Sequence, residues 1–331
     1  MTFSNESGLR TLIEMLAWRR PAGSKTERKF IREYIQPLGV QADTYGNRYK
    51  RIGTAPVAWL CHTDSVHRFG GVQRVALANC TATVGDKESN CLGADDAVGV
   101  WLMREMIRAD VPGLYVFHRA EEIGGLGSQH IAGTTPGLLA GIQFAVSLDR
   151  KGKDSVITHQ GGQRTCSDMF ADSLARALGE SVAYRRDNGG VFTDSANYAD
   201  IVGECSNLSV GYKGEHTRHE SLDLTHAAIL RDALCGLDAG ELVSSRKPGA
   251  AEWLDYGSPY GAPHGHGATR YDSQAWDVWG DADQTPRGKR SMLALVQDHP
   301  AEIADWLEQY NVDPTEIENA IRERGGFVRR R

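Results

Sequence analysis

The sequence has no CxxC pair, and its six cysteines (Cys61, Cys80, Cys91, Cys166, Cys205 and Cys235) are scattered along the chain. That spacing disfavours both a small disulfide framework and a thiolate zinc site, leaving ordinary buried thiols in a reducing compartment. No window approaches the ~18 uncharged apolar residues of a membrane span. The first residues, MTFSNESGLRTLIEML, lack a basic segment followed by an apolar one. Positive charge is not in surplus either: the formal net charge is -6, which argues against general nucleic-acid or membrane-surface binding. These absences lead us to expect a soluble, cytoplasmic protein with neither nucleic acid nor a membrane as partner.

A chain of 331 residues allows one large domain, or one domain with an appendage. Leu9, Leu12, Ile13 and Leu16 fall at helical spacing, and Ser24-x-x-Glu27 has the form of a capping box at the start of a second helix. The segment 39–53 reads as extended chain with a turn at Gly46-Asn47, and 56–61 (PVAWLC) as a strand buried on both faces. Residues 72–84 alternate as a hairpin, and 95–108 fits a helix with Val98, Trp101, Leu102 and Met106 inward. Two further apolar strands, 114–117 and 142–148, follow, with Ser128 placed between them to cap a short helix. A helix is expected over 167–178, extended chain at 182–184, a loop leading into a short helix at 189–199, a strand at 207–212 and a closing helix at 225–242. Helices alternating with short apolar strands define an α/β protein with a mixed, mostly parallel central sheet.

Chemistry-bearing residues cluster at the ends of those strands. The first ends in His62-Thr63-Asp64, where the carboxylate at i+2 shares a face with the imidazole; His67 is a weaker candidate nearby. The helix over 95–108 opens on Asp95-Asp96, the second strand leads to Glu121-Glu122, and the third ends at Asp149. Beyond the strand at 207–212 comes HTRHESLD (216–223), with His216 and His219 as alternatives. Adjacent like charges about 4 Å apart repel by roughly 4 kcal/mol at an effective dielectric of 20, so the acidic pairs need positive charge between them. Imidazole and carboxylate ligands without thiolates suit a catalytic zinc site with open positions. Two divalent ions would bring about four positive charges against about four negative ones from three carboxylates and a hydroxide, whereas one ion would leave negative charge in surplus.

The motifs HTD (62–64), GADD (93–96), EEIGGLGS (121–128), SLD (147–149) and HTRHESLD (216–223), in that order, resemble those of the co-catalytic di-zinc exopeptidases. That superfamily comprises bacterial zinc aminopeptidases, related carboxypeptidases and amino-acid deacylases. The resemblance implies that Asp95 bridges two metal ions, that His62 and Asp149 complete one, and that Glu122 and His216 complete the other. It implies that Asp64 orients His62, that Glu121 is the general base toward a metal-bridging water, and that the Asp95-Asp96 peptide is cis. It also prefers His216 over His219. The ions implied are zinc, with cobalt or manganese as alternatives, and the substrate is a peptide or aminoacyl compound. Aminopeptidase activity ranks ahead of carboxypeptidase or N-acyl amino-acid deacylase activity, and a catalytically silent binding or scaffold homologue is the non-enzyme alternative.

Spacing narrows the architecture. Some members of the superfamily that the chain resembles carry a dimerising lid between the lone Asp and the final His, and others a barrel-like domain between the first His and the bridging Asp. Here Asp149 and His216 are 67 residues apart, too close for sheet strands plus a lid, and the 33 residues from His62 to Asp95 leave no room for the barrel. The expectation is a single catalytic domain over 1–244. A Gly-, Pro-, Ser- and His-rich linker or surface wrap then covers 245–290, with His264 and His266 in solvated loop. A small helical extension over 291–331 is read as a docking element for the domain, a second copy or another protein.

Overall fold

In the computed structural model, which describes residues 7–252, the apolar run after Pro56 forms the strand Val57–His62 inside an eight-stranded sheet. It pairs in parallel with Gly113–His118 on one side and Phe144–Arg150 on the other. Glu204–Ser209 continues the parallel set beyond Phe144–Arg150. Antiparallel Arg48–Ile52 and Gln41–Ala42 close one edge, and Ser155–Ile157 with Arg185–Asp187 close the other. The fold is therefore α/β with a mixed sheet whose central strands are parallel.

Successive side chains of a strand point to opposite faces, so an all-apolar strand must be covered twice. Val57, Trp59 and Cys61 pack into the larger core, with Leu12 and Leu16 of helix Ser7–Leu16 and with Val98, Trp101 and Leu102 of helix Ala94–Arg108. Ala58 and Leu60 face the second core, with Ile131 of helix Leu126–Thr134 and with Tyr198. Full burial of each large side chain in these layers contributes about 1.5–3 kcal/mol. All four residues expected inward on helix Ala94–Arg108 are buried, and the indole N–H of Trp101 donates to the carbonyl of Gly8 at 2.8 Å.

Several boundaries differ from the pattern reading. The closing helix is Leu224–Cys235, ending at Gly236, with a separate short turn at Ala239–Glu241. The strand expected at 207–212 is Glu204–Ser209, because Gly211 turns the chain at φ 103° before Tyr212–Lys213. Extended backbone near 182–184 becomes the strand Arg185–Asp187. Ser24 does cap helix Lys25–Phe30, but Glu27 does not return to Ser24; its carboxylate accepts from the N–H of Gly23, the hydroxyl of Thr63 and the guanidinium of Arg119. Ser128, by contrast, is not a cap: it lies inside helix Leu126–Thr134, and its hydroxyl donates to Asp194 at 2.5 Å while lying 2.9 Å from Gly125 O.

A smaller antiparallel sheet runs in the order Tyr212–Lys213, Ser221–Asp223, Thr81–Val84, Val75–Ala78. Its expected hairpin turns at Asn79 and Cys80, both at positive φ (49° and 61°), the conformation of a two-residue turn that matches strand twist. The first two strands frame the loop that carries His216 and Glu220.

Residues 245–250 are tied to buried groups of the domain: the N–H groups of Ser245 and Arg246 donate to Glu204 at 2.7 and 2.8 Å, and the Arg246 guanidinium donates to the carbonyls of Ala199, Gly203 and Ala250. Residues 253–290 of the expected linker, with His264 and His266, and the helical extension lie outside the described residues. No helix among the described residues is long and apolar enough to cross a membrane.

Candidate metal centre

The carboxyl ends of parallel strands in an open α/β sheet are where sites form, and the candidate residues meet there. His62 closes its strand, Asp149 is the penultimate residue of Phe144–Arg150, and the loop after Gly113–His118 carries Glu121 and Glu122. Asp95 enters at the start of helix Ala94–Arg108 through a cis peptide bond to Asp96. His216 reaches in from the smaller sheet's loop with φ 63°, an unfavourable left-handed conformation for a residue with a side chain.

Asp95 stands between the two histidines. Its Oδ1 is 2.9 Å from His62 Nε2, and its Oδ2 is 3.3 Å from His216 Nε2. Asp149 Oδ1 lies 3.5 Å from the same His62 nitrogen, and Glu122 Oε2 lies 3.1 Å from the same His216 nitrogen. Asp64 Oδ1 is 3.6 Å from His62 Nδ1. The Asp64 carboxylate also accepts the peptide N–H groups of Glu121 and Glu122, both at 3.2 Å. His219 is exposed, and His67 is bound among Ser65, Gln73 and the Cys91 carbonyl, away from these carboxylates.

The loops that hold this constellation are fixed from behind. Asn47 accepts from the Arg119 N–H and donates to Gly127 O, both at 3.0 Å. At Gly127 a β-carbon would come within 2.4 Å of both Arg119 O and Asn47 Oδ1, so only glycine fits. Asp149 is held by the Thr193 hydroxyl at 2.7 Å and the Tyr212 hydroxyl at 3.2 Å. Glu220, buried, accepts the N–H groups of Leu92, Gly93 and Asp95. Arg20, also buried, donates to the carbonyls of Thr63 and Gly93, tying the first two motifs together. Glu220 belongs to a recognised motif but had no role from sequence. Thr193, Tyr212 and Arg20 gave no signal there, since their partners are distant in sequence and are chosen by the tertiary fold.

Burial and crowding set the electrostatics. Burial, reinforced by the charge of Asp95, raises Glu122 to about 7 and Asp149 to about 6. Burial also pushes Glu121 and Asp96 well above the usual carboxylate range. Burial works against a charged His62, yet the carboxylates of Asp149, Asp64 and Asp95 outweigh it and hold the ring well above an ordinary imidazole. Hydrogen bonds to Asp95 and Glu122 raise His216 to about 11. Asp95 moves the other way: burial opposes ionisation, but hydrogen bonds from His216 and His62 hold it below the usual range. These shifts have one cause, carboxylates crowded out of water around two imidazoles.

The residues suit divalent metal ions. His62, Asp95 and Glu122 offer ligand atoms within 4.8 Å of one another, as do His62, Asp96 and Asp149. Glu122 Oε1 is buried and makes no hydrogen bond among the described residues, which leaves a ligand oxygen free. Asp96, by contrast, already accepts the N–H groups of His62 at 3.1 Å and Gly99 at 3.0 Å, so its carboxylate is committed to backbone while that of Asp95 faces the histidines.

No protein-family model matches the chain, and no curated protein matches it. Solved structures share its fold. The aminopeptidase PepT from Bacillus cereus superposes with a TM-score of 0.58 at 12% identity, over 71% of this chain and 98% of that one. A tripeptidase from Staphylococcus aureus does so with 0.58 at 13%, over 69% and 96%. The TET1 peptidase of Pyrococcus horikoshii gives 0.52 at 14%, over 70% and 99%. Identities this low carry the fold alone: the chain has the fold of these peptidase structures.

Proposed function

We propose that the protein is a metal-dependent peptide hydrolase, working as an aminopeptidase, with Glu121 as its general base. The observation that carries this reading is the Asp95 carboxylate, which turns one oxygen to His62 and the other to His216, with Asp149 beside the first histidine and Glu122 beside the second. Two divalent ions, zinc by the nitrogen and oxygen donor set, would be held by His62 and Asp149, by Glu122 and His216, and by Asp95 between them, supplying Lewis acidity toward the amide carbonyl and the attacking water.

The chain's own residues do the rest. Glu121 takes a proton from the attacking water and returns it to the departing amine nitrogen. Asp64 sets the Glu121 backbone through its hydrogen bond to that N–H and stands beside the far ring nitrogen of His62, so base and ligand are positioned by one carboxylate. Thr193 and Tyr212 do the same for Asp149.

The test is a peptide-library digest with zinc, cobalt or manganese added, read by mass spectrometry beside metal analysis of the purified chain. Loss of single residues from peptide amino termini, together with about two bound ions per chain, is the expected result. Trimming from the carboxyl end would reassign the enzyme as a carboxypeptidase. No cleavage with any metal would leave a binding protein that keeps the fold.

A further inference from the structure

The loop after Glu122 and the loop before Thr193 touch each other, each next in sequence to a residue of the candidate centre, and both are apolar. Residues 123–127 read IGGLG and 189–193 read GGVFT, with no charged side chain in either. They abut: a β-carbon on Gly125 would lie 2.9 Å from the Phe192 ring, and Asn197 of the following turn donates to Gly125 O at 3.4 Å. Ile123 (60%), Leu126 (39%), Val191 (67%) and Phe192 (44%) are all exposed. Of the ten exposed large apolar side chains among the described residues, these four stand on two touching loops, and clustered apolar exposure marks a binding surface.

Their place in the chain ties them to the chemistry. Ile123 directly follows Glu122, which faces His216, and Phe192 directly precedes Thr193, whose hydroxyl holds Asp149. A peptide laid with its scissile amide at the centre would put a flanking side chain against this wall. We infer that Ile123, Val191 and Phe192 form the wall on which the substrate residue beside the scissile bond rests, so that the enzyme selects peptides with a bulky apolar residue there. The inference rests on the hydrolase reading and deepens it. An aspartyl or lysyl side chain at that position loses water and gains no partner on either loop, whereas leucyl and phenylalanyl side chains gain apolar contact.

The test compares X-Gly and Gly-X dipeptides, with X as Leu, Phe, Asp or Lys, on the zinc-loaded full chain and on its Phe192→Asp and Val191→Asp variants. In whichever series is cleaved, Leu and Phe are expected to exceed Asp and Lys in kcat/KM by about tenfold or more. Each variant is expected to lower the Leu and Phe values and raise the Lys value, a reversal that general damage to the site does not produce. Equal rates for all four residues, or an equal fall for all four in both variants, would overturn the inference. So would a changed oligomeric state with unchanged preference, which would make the patch a contact between copies. Cleavage of no dipeptide in either series would instead refute the hydrolase reading beneath it.

Discussion

Glu220 Oε1 accepts the peptide N–H of Asp95 at 3.1 Å, while its Oε2 accepts those of Leu92 and Gly93 at 2.7 and 2.9 Å. A carboxylate on the loop that carries His216 therefore shapes the backbone from which Asp95 projects. Outer supports of this kind hold ligands in place, and losing one costs about 10- to 100-fold in metal affinity. Glu220→Ala should lower zinc affinity by that factor, with Glu220→Gln recovering part of it; calorimetric titration of both variants checks this. Wild-type affinity in Glu220→Ala would show that Asp95 is positioned without it.

Arg119 and Glu27 form a bidentate pair behind the base, at 3.1 and 3.0 Å, with Glu27 fully buried. Removing one partner of a buried pair strands the other's charge and costs about 3–5 kcal/mol. Arg119→Ala should therefore destabilise the domain by that amount in urea unfolding. Adding Glu27→Gln to it should restore part of the loss, because the stranded charge disappears. A double variant no more stable than Arg119→Ala would contradict this.

His67 gives a pH dependence of known sign. Its burial, then the charge of nearby Arg20, lowers its pKa from 6.5 to about 3. Between these values the unfolded chain binds a proton that the folded chain refuses. The group's contribution to stability is therefore complete above about pH 6.5 and is lost as pH falls toward 3, at up to about 1.4 kcal/mol per pH unit. Urea unfolding at pH 7 and pH 5 should show a smaller loss in His67→Gln than in the wild type. Equal losses would mean that His67 is protonated in the folded protein.

The legible part of this molecule is the part written in local pattern. The run from Val57 to Cys61 is apolar at every position because both faces are covered, and short apolar strands ending in His62 and Asp149 announced the sheet and its working edge. His62, Asp95, Glu122, Asp149 and His216 were candidates from their motifs, and the fold brings them together. What sequence hid was the choice of partner. Ser128 has a capping residue's chemistry, yet the second core places it against Asp194. Glu27 follows Ser24 at capping-box spacing, yet Arg119 and Thr63 claim its carboxylate. Strand ends near 204 and 212 shifted because Gly211 turns the chain where the apolar pattern continues.

The assignment of proton transfer to Glu121 is the point on which the functional reading turns. Glu121→Gln keeps the side chain's shape and its peptide N–H on Asp64 while removing the ability to accept a proton. Steady-state kinetics on the best dipeptide, beside metal content and a thermal melt, should show wild-type metal and stability with turnover reduced about 100- to 10,000-fold. Unchanged turnover in a fully metal-loaded Glu121→Gln enzyme would contradict the reading.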